Sequence, residues 1–115
     1  MIGHGEDELK SLKDAYRKTK RFIWNDLYRR IKRSSRSEFT RINTSKLNRL
    51  APEGAFIVVP GKVLGTGNID KKITVGALCY SKAARARIEG AGGKALTFSE
   101  FVASYSNKEG IMIVK

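Results

Sequence analysis

At 115 residues the chain can form one domain, residues 1–115, around one modest core, and it is too short for two. A hydrophobic content of 41% excludes a disordered basic tail. The 23 Lys and Arg against 11 Asp and Glu give a formal charge of +12, which calls for a large polyanion as partner. Nucleic acid is favoured over an anionic membrane, because no amphipathic segment has an apolar face rich enough for insertion.

Residues 1–6 read as a loose terminus without the apolar stretch of a signal peptide. Leu9, Leu12, Tyr16 and Thr19 then recur at helical spacing, with Asp7 and Glu8 at the positive end of the helix dipole. Trp24, Leu27, Tyr28 and Ile31 repeat the pattern, and the opposite face carries Arg29, Arg30, Lys32 and Arg33. With no Gly or Pro between them, these are one helix or two, and a break near Thr19–Arg21 is favoured. Ser34 to Glu38 form a polar loop that can bury nothing. Phe39 to Ile42 read as extended, and Thr44 or Ser45 caps a short helix that holds Leu47 and Leu50 and ends at Pro52 and Gly54.

Two short strands, Ala55–Val59 and Lys62–Leu64, are expected on either side of a Pro60–Gly61 turn, with Gly61 supplying the positive φ of a type II turn. Gly65, Gly67 and Asn68 give a second, hairpin-like reversal into a strand over Lys72–Tyr80. In that strand Ile73, Val75, Ala77 and Cys79 share one face. Ser81 caps a helix that stops at Gly90, and Ala95-Leu96 form a short strand. Thr97 and Glu100 make a capping box for a helix with Phe98, Phe101, Val102 and Tyr105 on one face, and Ile111–Val114 close the chain as a strand. The C-terminal half is thus β-α-β-α-β, an α/β organisation.

Few residues suggest chemistry. The glycine turn lacks the third glycine and the following helix of a dinucleotide loop, and there is no Walker lysine motif. His4 stands alone in sequence, and Cys79, the single cysteine, lies between Leu78 and Tyr80 as a buried inert thiol. No disulfide, cysteine-based zinc site, catalytic constellation, metal site, cofactor or small-molecule substrate is expected. Trp24, Tyr28, Phe98, Phe101 and Tyr105 read as core rather than base-stacking platforms. Asn43-Thr44-Ser45 matches a glycosylation acceptor, which means nothing without secretion.

The basic clusters are different. A solvated helix face mixes charge signs, whereas Arg29, Arg30, Lys32, Arg33, Arg36 and Arg41 have only Asp26 and Glu38 near them in sequence. An unpaired positive face suits RNA phosphates, which arginine can bind bidentately. With Lys46 and Arg49 these six residues are expected to form one RNA-binding surface, and Lys62, Lys71 and Lys72 a second.

The run Val58-Val59-Pro60-Gly61-Lys62-Val63-Leu64-Gly65, together with Trp24, Asn43, Arg49, Thr74-Val75 and Thr97-Phe98, resembles the "L eighteen e" family of archaeal and eukaryotic large-subunit ribosomal proteins, which is related in fold to the bacterial protein numbered fifteen. The chain departs from that family at Ser34-Ser35, where a proline is common, and across its first twenty residues. The resemblance implies an irregular superhelix of β-β-α units with basic N-terminal helices. It also implies a structural role in the large subunit of cytoplasmic ribosomes, bound to large-subunit ribosomal RNA and neighbouring ribosomal proteins, without enzymatic activity. The competing expectation is a free-standing regulatory RNA- or DNA-binding protein, although no helix-turn-helix or RNA-recognition signature is present.

Overall fold

The strand Phe56–Leu64 organises the molecule, because three other strands pair with it and helices cover both of its faces. The computed structural model describes residues 4–33 and 39–115. In chain order the elements are α1 (His4–Thr19), α2 (Phe22–Arg33), β1 (Thr40–Asn43), α3 (Thr44–Leu50), β2 (Phe56–Leu64), β3 (Thr74–Tyr80), α4 (Lys82–Gly90), β4 (Lys94–Thr97), α5 (Phe98–Tyr105) and β5 (Met112–Ile113). The expected loose terminus falls partly outside the described residues, and helix begins at His4.

The sheet runs β1-β2-β3-β4, with β5 also on β2, and every pairing is parallel. Both β5 and β1 lie along one edge of β2: β5 opposite Ile57 and Val58, β1 opposite Gly61 to Leu64. The central strand reads as a near-continuous apolar run because both of its faces are covered. Ile57, Val59 and Val63 pack with Leu47 of α3 and with Ala84 and Ile88 of α4. Val58 packs on the other face with Leu12 of α1, Trp24 and Leu27 of α2, and Phe101 of α5. The α/β class and the basic N-terminal helices stand, and β2, β3 and α4 form one β-β-α unit.

Several local expectations hold for the reasons given. Two helices precede the sheet, broken at Lys20, which takes φ 61°. Ser81 accepts a hydrogen bond from the Ala84 N–H to cap α4, and the Thr97–Glu100 capping box opens α5. Trp24, Phe98 and Phe101 are fully buried, with Trp24 and Phe101 edge to face at 6.0 Å.

Others need correction. Pro60 and Gly61 make no turn, since β2 runs straight through them as one strand. Its register against β3 shifts between Val59 and Lys62, and this bulge accommodates a proline that cannot donate to the ladder. Gly61 is required because a Cβ there would sit 1.9 Å from the Thr40 carbonyl oxygen of β1, not because its φ is positive. The segment after Leu64 is no hairpin either, since β3 returns parallel to β2. Gly67, at φ 90°, shapes this connection, and the Thr44 hydroxyl donates to Thr66 and Gly67 carbonyls instead of capping α3. The N-cap of α3 is Asn43, whose side chain makes no capping bond. Cys79 is half-buried rather than buried.

Candidate nucleic-acid interface

Helix α2 buries Trp24, Leu27 and Ile31, which turns Arg29, Lys32 and Arg33 outward. Arg29 and Arg33 form no ion pair among the described residues, while Arg30 bonds Asp26 one turn back, Nε to Oδ2, at 3.2 Å. An exposed i,i+4 pair of this kind is worth about 0.3–0.5 kcal/mol, so a phosphate can displace it. Arg36 lies outside the described residues.

The antiparallel packing of α1 on α2 adds cations that periodicity could not assign. Lys13 of α1 lies 5.9 Å from the centre of the Tyr28 ring and Lys32 lies 5.4 Å from it. The Lys32 ammonium also donates to the Tyr28 hydroxyl at 3.3 Å. That hydrogen bond, followed by the positive charges of Lys32, Lys13 and Arg17, holds the Tyr28 phenol below the ordinary tyrosine range against the opposing effect of desolvation. Tyr28, expected in the core, is a half-buried residue at the seam between two helices, surrounded by cations. The only hint in the sequence is that Lys13 and Arg17 are four apart and so share one face of α1.

The two expected surfaces are regrouped by the sheet. Arg41 and Lys62 are registered partners on β1 and β2, about 4.8 Å apart across the ladder. Arg41 is exposed and Lys62 half-buried. Their neighbours in sequence, Ile42 and Val63, face the α3/α4 cluster, so these two cations point to the side that carries α1 and α2. Lys71 and Lys72 instead precede the start of β3, while Lys62 lies six residues beyond the β2 partner of Thr74, about 20 Å away along the strands. Lys62 therefore belongs with Arg41, not with Lys71 and Lys72.

Lys71 has work inside the fold. Its ammonium donates to the carbonyls of Asn48 at 2.7 Å and Ala51 at 2.9 Å, which closes the C-terminal end of α3. Lys72 is exposed, and its backbone N–H bonds the Glu53 carboxylate. Lys46 reaches the Lys115 carbonyl oxygen at 3.3 Å, and Arg49 is exposed in the last turn of α3. Two exposed arginines of α4 are likewise tied to the fold. Arg87 donates to the Gly65 carbonyl and the Asn68 side chain, both at 2.8 Å, and Arg85 reaches the Ala95 carbonyl and lies over the Tyr80 ring.

Among the described residues no group of His, Cys, Asp and Glu could hold a metal ion, and no helix is long and apolar enough to cross a membrane. What remains is an α/β domain that presents arginines and lysines from α1, α2 and β1–β2 on one side of its sheet.

Comparison with known proteins agrees with this description. The family model described as ribosomal proteins 50S-L15, 50S-L18e and 60S-L27A matches residues 8–96. The chain belongs to this ribosomal-protein family. Among its members it is similar to large ribosomal subunit protein eL18 of Methanothermobacter thermautotrophicus, 42% identical over 93 residues, covering 81% of this chain and 76% of the relative. The eL18 of Methanosphaerula palustris is 38% identical over 105 residues, 91% of this chain and 86% of the relative. That of Methanococcus maripaludis is 37% identical over 95 residues, 83% and 78%. The resemblance read from the Val58–Gly65 run is thereby borne out.

Proposed function

We propose that the protein is a structural constituent of the large ribosomal subunit and binds large-subunit ribosomal RNA, with neighbouring ribosomal proteins as its other partners, in cytoplasmic ribosomes. It acts as a scaffold rather than an enzyme and takes no cofactor. The observation that carries the reading is the convergence of Lys13, Arg17 and Lys32 on Tyr28, beside exposed Arg29 and Arg33, on the side of the sheet to which Arg41 and Lys62 also point. Like charges held this close on rigid helices repel one another in the free protein and are relieved by phosphates. Recognition follows RNA shape and backbone rather than a base sequence.

The contact set begins with Arg29, Lys32, Arg33, Arg41 and Lys62, joined by Lys13 and Arg17. Arg30 joins on release from Asp26, Arg36 extends the set from sequence alone, and Arg49, Lys46 and Lys72 lie at its margins. Lys71 serves α3 first.

Sedimentation of the tagged protein with purified large subunits at moderate salt tests the role. A scaffold stays with the subunit, whereas a free-standing regulator is released. Binding of the isolated protein to large-subunit ribosomal RNA should weaken with salt, with a log–log slope of about −0.7 to −0.9 per phosphate contacted. A slope near zero overturns the electrostatic account.

A further inference from the structure

The corner between α1 and α2 carries four cations in five consecutive residues, Arg17, Lys18, Lys20 and Arg21, and immediately after them the most exposed large apolar side chain of the described residues, Phe22. Phe22 is 78% exposed, in a protein whose Trp24, Phe98 and Phe101 are fully buried. Its ring lies 6.4 Å from that of Tyr16, and it forms a wall of an open pocket of about 380 Å³ whose other apolar sides are Ile23 and Ile111.

The pocket is preformed. The Thr19 hydroxyl donates to the Ala15 carbonyl and accepts from the Arg21 N–H, which fixes the corner. The Trp24 indole donates to the Ser106 carbonyl at 2.9 Å. The Arg21 guanidinium donates to the Lys108 carbonyl and pairs with Glu109 at 3.9 Å, so the loop after α5 is tied to the corner. The Lys108 ammonium is occupied over the Phe56 ring at 4.6 Å, which leaves Lys20 as the cation at the rim. Lys20 holds a left-handed conformation that glycine would adopt more cheaply, so the side chain at this position comes at the cost of backbone strain.

We propose that this pocket receives one unstacked base of the RNA, laid on the Phe22 ring, with a flanking phosphate on Lys20 and the exposed Glu109 carboxylate within range of the base's amino edge. The inference rests on the ribosomal-RNA reading and adds to it a base-stacking site separate from the phosphate surface. An apolar ring alone would also suit a neighbouring protein. The Lys20 cation at the rim beside the exposed ring favours a ligand in which a flat ring and an anion adjoin, which is a nucleotide.

The test uses the full chain and purified large-subunit ribosomal RNA from Methanothermobacter thermautotrophicus as probe. Ultraviolet irradiation followed by mass spectrometry should find a base adduct on Phe22. Phe22→Ala should keep the melting temperature, lose the adduct and bind about tenfold more weakly with an unchanged salt slope, while Phe22→Trp retains affinity. Lys20→Gly, which suits the backbone, should keep the fold and lower the slope by about one contact. If the native protein binds with steep salt dependence but Phe22→Ala binds within twofold of it, the base site is wrong and the phosphate surface stands. If a neighbouring protein rather than RNA is lost from subunits carrying Phe22→Ala, the occupant is a protein and the base reading is overturned. Failure of the native protein to bind the RNA overturns both.

Discussion

Two regions of this molecule carry the same kind of side chain for opposite purposes. Around α3 and the connection from β2 to β3, Lys71 and the exposed Arg87 are tied to backbone carbonyls. On α2, Arg29 and Arg33 project into solvent and make no ion pair among the described residues. The difference is set by local backbone demand. Every helix end leaves carbonyls that need donors, and at the end of α3 the loop before β3 brings the Lys71 ammonium to them, whereas Arg29 and Arg33 stand on the exposed face of α2, opposite its buried Trp24, Leu27 and Ile31. Formal charge therefore overstates the surface that RNA can use.

The contrast breaks most sharply at Gly61. Gly61→Val places side-chain atoms where the Thr40 carbonyl lies, so β1 must leave the sheet, and a loss of about 3 kcal/mol or more is expected. Thermal unfolding checks this, and a native-like melting temperature would show that β1 is dispensable. Next in size is the combined Arg29→Gln, Arg33→Gln and Arg41→Gln protein. It should melt at or above the temperature of the native protein while its salt slope for RNA falls by about 2–3. Loss of the melting transition instead would place these arginines in the fold.

Lys71→Met should do the reverse, lowering stability by about 1–3 kcal/mol as the Asn48 and Ala51 carbonyls lose a charged donor, with little change in salt slope. Equal effects of Lys71→Met and the triple variant on RNA affinity would erase the distinction between the two regions.

The smallest effect is spectroscopic. The Tyr28 phenol is depressed in the folded state, so ionisation favours folding only in the alkaline range, and the contribution disappears as pH falls through the folded-state value. Lys32→Met should therefore raise the alkaline titration of Tyr28 followed by ultraviolet difference absorbance and leave stability at neutral pH unchanged through this group. An unmoved titration would mean that Lys32 does not hold the phenol.

The parts of the fold that were legible in sequence are those whose causes are local. The Thr97–Glu100 capping box, the Ser81 cap and the break at Lys20 each depend on residues within four positions of one another. The Trp24 stripe could be read because helical period alone places it. The failures share a different cause, since each depended on a partner far along the chain. Pro60-Gly61 has the composition of a turn, and only the approach of Thr40 from β1 explains a glycine inside a central strand. Lys71 looks like a surface lysine until the end of α3 is seen beside it. Lys13 and Arg17 join the basic face only because α1 folds back on α2, and the grouping of Lys62 with Arg41 required the parallel register.

The edge of β2 shared by β1 and β5 has a consequence for synthesis. A ribosome makes β2 some fifty residues before it makes Met112 and Ile113, so on the nascent chain the stretch around Ile57 and Val58 has an open, strongly apolar border. Until the last strand emerges, that border can pair with any extended segment nearby, including the same stretch of another copy. Newly made protein lacking β5 should thus be the species most prone to aggregate, and the one most in need of a chaperone or of prompt delivery to its binding partner.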